Sequence, residues 1–243
     1  MRNILIHVPH SSLFIPEEYK NASLLTQDEI EEENQFMCDT GIVGLIPPAF
    51  RENALIFPYS RLYCDVERFR SGNEPMERYG MGYIYTHDSR GRRMFEPTKA
   101  HRCEVDMIYE AHHSNLDRRV SEILGSCGSC IIIDLHSYSD EAVARIFGFK
   151  NCPDVCIGIE EDYYSECLVR GIVEICRAAG LSTDINYPYK GSIVPNSYYG
   201  QKNTGITSVM IEINKRILGK IKEVALQATI PASRQSILHY EGV

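Results

Sequence analysis

The chain has 243 residues, of which 44% are hydrophobic and 24% are charged. This composition is typical of a globular domain and excludes a disordered or fibrous chain. The formal net charge is −8, and no basic cluster is dense enough to neutralise a row of phosphates, so we expect no nucleic acid as a partner.

Short apolar runs typical of strands alternate with longer amphipathic runs typical of helices. In chain order, strands are predicted at residues 3–8, 54–57, 61–66, 82–86, 130–135, 144–149, 155–159 and 207–213. Helices are predicted at residues 26–46, 101–124, 162–179 and 215–228, with Gly125 and Gly180 ending the second and third. The alternation predicts a single α/β domain over residues 1–243, with a mostly parallel or mixed central sheet and helices on both faces.

The cysteines and the apolar runs predict the cellular compartment of the protein. Nine cysteines are scattered along the chain, an odd number that favours free thiols in a reducing compartment. The N-terminal apolar run is too short for a signal peptide, and none approaches the roughly 20 residues that cross a bilayer, so we expect a cytoplasmic protein without a membrane partner. A four-cysteine zinc site is an alternative for Cys127, Cys130, Cys152 and Cys156, although Cys130 leads directly into a strand.

Polar side chains stand where predicted strands end, which is where parallel sheets bind ligands. His10 follows the first strand, and Asp134 and His136 close the strand that begins at Cys130. Residues two apart on a strand share a face, so Asp134 could orient the ring of His136. Either histidine alone could be structural, but two at the ends of separate strands favour a catalytic zinc site, which often uses two histidines and a carboxylate.

Charged residues also occur within or beside apolar strands. Glu212 lies inside the last predicted strand, where a buried carboxylate is costly unless it is paired or has a task such as proton transfer. The structural alternative is a salt bridge to Lys215 or Arg216, which we expect to be weaker because both begin the next helix and can reach solvent. Arg61 and Arg68 flank another predicted strand and could bind a carboxylate or an oxyanion, or lie on the surface.

A set of short motifs is distributed over nearly the whole chain. They are His7-Val8-Pro9-His10-Ser11-Ser12, Cys38-Asp39-Thr40-Gly41, Ser60-Arg61, Asp65-Val66-Glu67-Arg68, Tyr109-Glu110-Ala111-His112-His113, Asp134-Leu135-His136-Ser137, Tyr189-Lys190-Gly191-Ser192 and Ile211-Glu212-Ile213-Asn214. In this order they resemble the N-formylglutamate amidohydrolase family, which is similar in fold to the zinc carboxypeptidases and aspartoacylases.

The resemblance implies one zinc ion held by His10 and His136, with a carboxylate as third ligand. Zinc carboxypeptidases carry a Glu three residues after the first His, but that position is Leu13 here, so Asp39 is the expected third ligand. The resemblance also implies that Glu212 is the general base and that Arg61 polarises the scissile carbonyl.

For the substrate, the resemblance implies a small amide that carries a carboxylate, such as N-formylglutamate. Arg68 would hold the carboxylate, and Lys190 and Tyr199 would lie on a loop over the substrate, while His113 could serve either binding or packing. Two alternatives stay open: hydrolysis of another N-acyl amino acid or short peptide, and a non-catalytic binding or regulatory protein on the same scaffold, since Leu13 and Glu67 depart from the patterns of related enzymes.

Overall fold

The computed structural model describes residues 3–70, 72 and 74–221 and contains a six-stranded sheet with the order β2-β1-β3-β6-β4-β5. The strands are β1 (Ile4–Val8), β2 (Ala54–Ile56), β3 (Cys130–Tyr138), β4 (Val155–Ile159), β5 (Thr183–Ile185) and β6 (Ile206–Asn214). Neighbouring strands are parallel except for β4 and β6, which are antiparallel. The predicted α/β class with a mostly parallel, mixed sheet is confirmed.

Helices cover both faces of this sheet. The α-helices are α1 (Glu17–Asn21), α2 (Gln27–Met37), α3 (Lys99–Cys127), α4 (Asp140–Phe147), α5 (Glu166–Ala178) and α6 (Leu218–Ile221), and 3-10 helices occur at Ile42–Leu45, Pro48–Asn53, Pro75–Tyr79 and Lys215–Ile217. On one face Ile172 of α5 packs in a cluster with Ile133 and Ile211 of the sheet. On the other face Val120 of α3 packs in a cluster with Ile132. We call these the α5 face and the α3 face.

The first predicted helix, over residues 26–46, is wrong at its C-terminal end. Thr26 and Glu29 form the capping box that begins α2, but the helix stops at Met37. Gly41 adopts a left-handed conformation with φ of 86° and turns the chain into a short 3-10 helix. Asp39 therefore lies in a turn between two helical segments.

Two predicted strands between residues 61 and 86 are also wrong. Residues 61–66 form turns that begin when Ser60 accepts hydrogen bonds at its carbonyl oxygen from the backbone N–H groups of Tyr63 and Cys64. Residues 82–86 contribute only to an isolated bridge between Met81 and Tyr85. The apolar side chains of both segments pack in a separate cluster beside the sheet, so their alternation reflects burial without strand pairing.

The predicted strand at residues 144–149 is wrong as well, because residues 140–147 form α4. Ser139 caps this helix by accepting from the backbone N–H of Ala142, and Gly148, with φ of 72°, ends it. The prediction that Gly125 ends the second long helix is wrong: α3 runs through Gly125 to Cys127, and Gly128 caps it. The predicted helix at residues 162–179 begins only at Glu166, after the cap residue Ser165.

The C-terminal prediction is tested only in part. Residues 215–221 are helical, and the remainder of the predicted helix at residues 215–228 lies outside the described residues. Among the helices of the described part of the chain, none has the length and hydrophobicity that crossing a bilayer requires.

Candidate active site

The polar residues of β1, β3 and β6 converge on the α3 face at the carboxyl ends of these parallel strands. His7 is paired in register with Asp134, and His136 is paired with Glu212. Side chains on a strand alternate between faces, which puts all four on one face. All four are buried, although transferring such groups from water is costly unless they are paired.

Two turns add His10 and Asp39 to this edge of the sheet. The backbone N–H of Asp39 donates to the carbonyl oxygen of His10 at 2.8 Å, which joins the turn after β1 to the turn after α2. One ligand atom from each of His10, Asp39 and His136 lies within 4.8 Å of the others. Nδ1 of His136 is 3.2 Å from Oδ2 of Asp39, and Nδ1 of His10 is 3.9 Å from the same oxygen.

The outer nitrogens of both rings are held by other carboxylates. Nε2 of His10 lies 2.8 Å from Oδ1 of Asp65, and Nε2 of His136 lies 3.1 Å from both Oδ1 of Asp134 and Oε2 of Glu67. A carboxylate only accepts hydrogen bonds, so each Nε2 carries a hydrogen. Nδ1 of each ring lies on the side of Asp39 and is the nitrogen that would face a metal, which in His136 would replace the hydrogen that Nδ1 shares with Asp39. Carboxylates orient metal-binding histidines in this way.

The buried polar atoms fit a zinc ion. Nδ1 of His10 is buried without a hydrogen-bond partner, and such orphaned atoms are rare unless something else satisfies them. Burial alone would lower the pKa of His136, but the carboxylates of Glu67 and Asp134 raise it well above its usual value. Two imidazoles and one carboxylate, in surroundings rich in negative charge, are a ligand set of catalytic zinc.

The turns at residues 61–68 place two arginines beside this group. Asp65 is fully buried; Arg61 donates to it through Nη2 at 2.7 Å, and Tyr85 donates through its hydroxyl at 3.1 Å. Burial would raise the pKa of Asp65, but the Arg61 guanidinium holds it well below its usual range. Nε of Arg68 lies 3.7 Å from Asp65 and has no hydrogen-bond partner. Arg61 is thus anchored, whereas Arg68 has a donor to spare.

Glu212 is the unpaired acid of the site. Its Oε2 is buried without a hydrogen-bond partner, and burial raises its pKa to about 8. Neither alternative salt bridge is formed: Nζ of Lys215 donates to the carbonyl oxygens of Phe36 and Cys38, and Arg216 pairs with Asp140. Lys215 thereby ties the end of β6 to the turn that carries Asp39. Glu212 is left with a carboxylate oxygen available for proton transfer.

Three of the residues predicted to bind substrate do not contact the cluster of His10, Asp39 and His136. Nε2 of His113 donates to the carbonyl oxygen of Val66 at 2.8 Å, and its ring packs against Tyr109. Lys190 is exposed, and Tyr199 is 53% exposed with its hydroxyl 3.4 Å from Glu160. The loop that carries Lys190 nevertheless reaches the site, because the backbone N–H of Ile193 donates to Oδ2 of Asp134 at 3.2 Å.

The sequence did not point to Asp65, Glu67, His7 and His112 as site residues. Asp65, Glu67 and His7 contact the site histidines or their carboxylates, and His112 contacts His7. The available signal was the charged pair Asp65 and Glu67 on either side of Val66, in a segment apolar enough to be read as a strand. Glu67 turns towards His136, and the ion pair of Arg68 is with Asp65. Glu67 therefore leaves Arg68 available for an anion.

The alternative zinc site formed by four cysteines is not assembled. Cys130 packs in the cluster under α3, whereas Cys152 and Cys156 pack with Tyr138 in a different cluster. Among the described residues, the groups with metal-ligand spacing contain histidines and carboxylates but no cysteine. None of the nine cysteines, all of which lie in the described part of the chain, is in a disulfide bond.

Comparison with known proteins gives the site its context. A crystal structure of N-formylglutamate amidohydrolase from Ralstonia eutropha superposes with a TM-score of 0.78 at 18% identity, covering 100% of this chain and 95% of that one. A gene product of Agrobacterium tumefaciens gives a TM-score of 0.69 at 18% identity, with coverages of 99% and 92%. At such identity these structures show a shared fold, and no curated protein matches the sequence significantly. The family model of N-formylglutamate amidohydrolase, however, matches residues 2–218, and the chain therefore belongs to the N-formylglutamate amidohydrolase family.

Proposed function

We propose that the protein is a zinc-dependent amidohydrolase that cleaves the N-formyl amide of a small amino acid such as N-formylglutamate. Membership of the family supports hydrolysis of a small amide. The observation that carries the metal assignment is the buried Nδ1 of His10, which lacks a hydrogen-bond partner and lies 3.9 Å from Asp39. Together with His136, whose Nδ1 lies 3.2 Å from the same oxygen of Asp39, these residues would hold the ion.

A zinc ion held there would polarise the amide carbonyl and lower the pKa of water towards about 7. In its ionised form, Glu212 accepts a proton from the attacking water through the free oxygen that is buried beside His136. The water oxygen bonds to the formyl carbon, the C–N bond breaks, and Glu212 returns the proton to the departing nitrogen. The products are formate and the free amino acid, and the Arg61 cation stabilises the negative charge that develops on the carbonyl oxygen.

Arg68 is the residue we assign to the substrate carboxylate. Its buried Nε has no hydrogen-bond partner, and a guanidinium can bind a carboxylate through two parallel hydrogen bonds. Lys190 and Tyr199, on the exposed loop, would contact the part of the substrate that projects from the buried group. His113 would act through the carbonyl of Val66, which lies between Asp65 and Glu67.

The test compares chelator-treated protein with the same protein given back zinc, and measures formate released from N-formylglutamate. N-formylglutamine and N-acetylglutamate are the matched controls, since one lacks the side-chain carboxylate and the other replaces the formyl group. We expect activity only with metal and the fastest turnover of N-formylglutamate. Faster turnover of N-acetylglutamate or of a short peptide would favour the alternative substrates. Zinc-loaded protein that hydrolyses none of these would favour the non-catalytic alternative.

We also infer a single domain in the cytoplasm. The described strands all join one sheet, which supports one domain for the chain. The odd number of cysteines along the chain supports a reducing compartment. Limited proteolysis that leaves the chain in one stable core, and fractionation of the native source, test the two inferences.

A further inference from the structure

His7 lies near the end of β1 and has no part in the reaction described above. Its side chain is fully buried, and both ring nitrogens have partners. Nδ1 lies 2.8 Å from Oδ1 of Asp134 and 3.5 Å from Oε1 of Glu67. Nε2 lies 2.9 Å from Nε2 of His112, which comes from α3. The ring of His7 is therefore held from opposite sides by a carboxylate pair and a helix.

Asp134 connects His7 to the proposed zinc site. Oδ1 of Asp134 accepts from His7 and lies 3.1 Å from Nε2 of His136, while Oδ2 accepts from the backbone N–H of Ile193. Both carboxylate oxygens are thus engaged. Because a carboxylate has no hydrogen to donate, His7 must present an N–H to it.

The charges of this cluster favour a cationic His7. Burial alone would lower the pKa of His7, but its hydrogen bonds with Asp134 and Glu67 raise it to about 9. Burial and the nearby His7 lower the pKa of His112, so His112 is the neutral acceptor of the pair. The cation offsets negative charge that Asp134 and Glu67 bring into a buried region, where an unpaired charge is costly.

We propose that His7 is a positioning residue of the zinc site: its Nδ1–H fixes the carboxylate of Asp134, which holds Nε2 of His136, so that Nδ1 of His136 faces the metal. The inference rests on the proposed function, since it assumes zinc at His10, Asp39 and His136. Outer residues that orient ligands commonly change metal affinity 10–100-fold when they are replaced.

The same atoms could be read as a second metal site, because ligand atoms of His7, Glu67 and Asp134 lie within 4.8 Å of one another. The hydrogen bonds favour positioning. Oδ1 of Asp134 already accepts from His7 and contacts His136, and both nitrogens of His7 are engaged. A metal here would have to replace these contacts.

Two amide variants distinguish the contacts made by the two ring nitrogens of His7. In H7N the side-chain amide nitrogen can occupy the place of Nδ1 and keep a donor towards Asp134. In H7Q the amide reaches towards His112 but withdraws the donor from Asp134. L5A is the control for instability, because Leu5 lies on the same face of β1 and is equally buried. Zinc affinity is measured by competition with a chromophoric chelator, together with zinc stoichiometry and thermal unfolding.

We expect H7Q to raise the zinc Kd by about 10–100-fold, while H7N and L5A keep nearly the wild-type value even where they unfold at lower temperature. Wild-type zinc binding in H7Q, an equal loss in H7N and H7Q, or a parallel loss in L5A would overturn the inference. So would two zinc ions per wild-type chain. A wild-type chain that binds no zinc would overturn the proposed function as well, whereas the other outcomes leave it standing.

Discussion

The two faces of β1, β3 and β6 differ although they belong to the same strands. On the α5 face Ile6, Ile133 and Ile211 continue an apolar core along the strands. On the α3 face Leu5 of β1 and Ile132 of β3 pack under α3 in the first halves of their strands. In their second halves the α3 face carries His7, Asp134, His136 and Glu212.

We infer from this difference that the apolar side chains stabilise the fold, whereas the polar side chains serve metal binding and hydrolysis. Burying apolar side chains stabilises the fold, whereas burying histidines and carboxylates costs free energy that paired contacts only partly offset. The α5 face and the first halves of the α3 face can supply the stability that the polar halves lack. Variants on the polar halves should therefore change zinc binding and hydrolysis, and variants on the α5 face should change unfolding.

The largest effect is expected from H136A. This change removes a proposed zinc ligand whose Nδ1 faces Asp39 at 3.2 Å. Zinc affinity and hydrolysis should both fall by more than about 100-fold, beyond the range for outer residues. Zinc content after dialysis, measured by atomic absorption, checks the loss. H87A is the control, since His87 bonds to Thr86 in a different part of the chain. Unchanged zinc stoichiometry in H136A would remove this residue from the ligand set.

E212Q should have the next largest effect, and it should lower hydrolysis without changing zinc binding. The amide keeps the shape of the side chain but does not accept a proton, so kcat should fall by about 10²–10⁴-fold. Zinc stoichiometry should stay at the wild-type value. The control is E174Q, on the exposed side of α5. Full activity in E212Q would show that another group is the base.

The positions of the polar site residues on strands were predictable from sequence, whereas the positions of those on turns were only partly predictable. Asp134, His136 and Glu212 follow from strand periodicity, which puts alternate residues on one face. Arg61, Asp65 and Glu67 lie in turns that the pattern presents as a strand, since buried apolar residues of a turn can alternate as those of a strand do. The position of Asp39 depends on its hydrogen bond to His10 and on the left-handed Gly41, which no local pattern specifies.

R68M tests the role of the turns at residues 61–68 in substrate binding. The spare Nε of Arg68 would be lost, and charge-assisted hydrogen bonds contribute about 1.5–3 kcal/mol. KM for N-formylglutamate should rise about 10- to 100-fold, with a smaller change in kcat. Steady-state kinetics on N-formylglutamate and N-formylglutamine check this, and R68K is the matched control that keeps the charge without the two-pronged geometry. Equal losses on both substrates would show that Arg68 does not read the side-chain carboxylate.

The smallest effect on hydrolysis is expected from I133A, although Ile133 is the immediate neighbour of Asp134 in the chain. Its side chain points to the α5 face and is buried in the core, so its truncation should lower the free energy of unfolding by about 2–5 kcal/mol. Asp134 points to the other face, and its contacts with His7 and His136 do not involve Ile133. Zinc Kd and kcat measured well below the unfolding temperature should match those of the wild type. If zinc affinity fell along with stability, packing on the α5 face would itself set the geometry of the ligands, and the two faces would act as one unit.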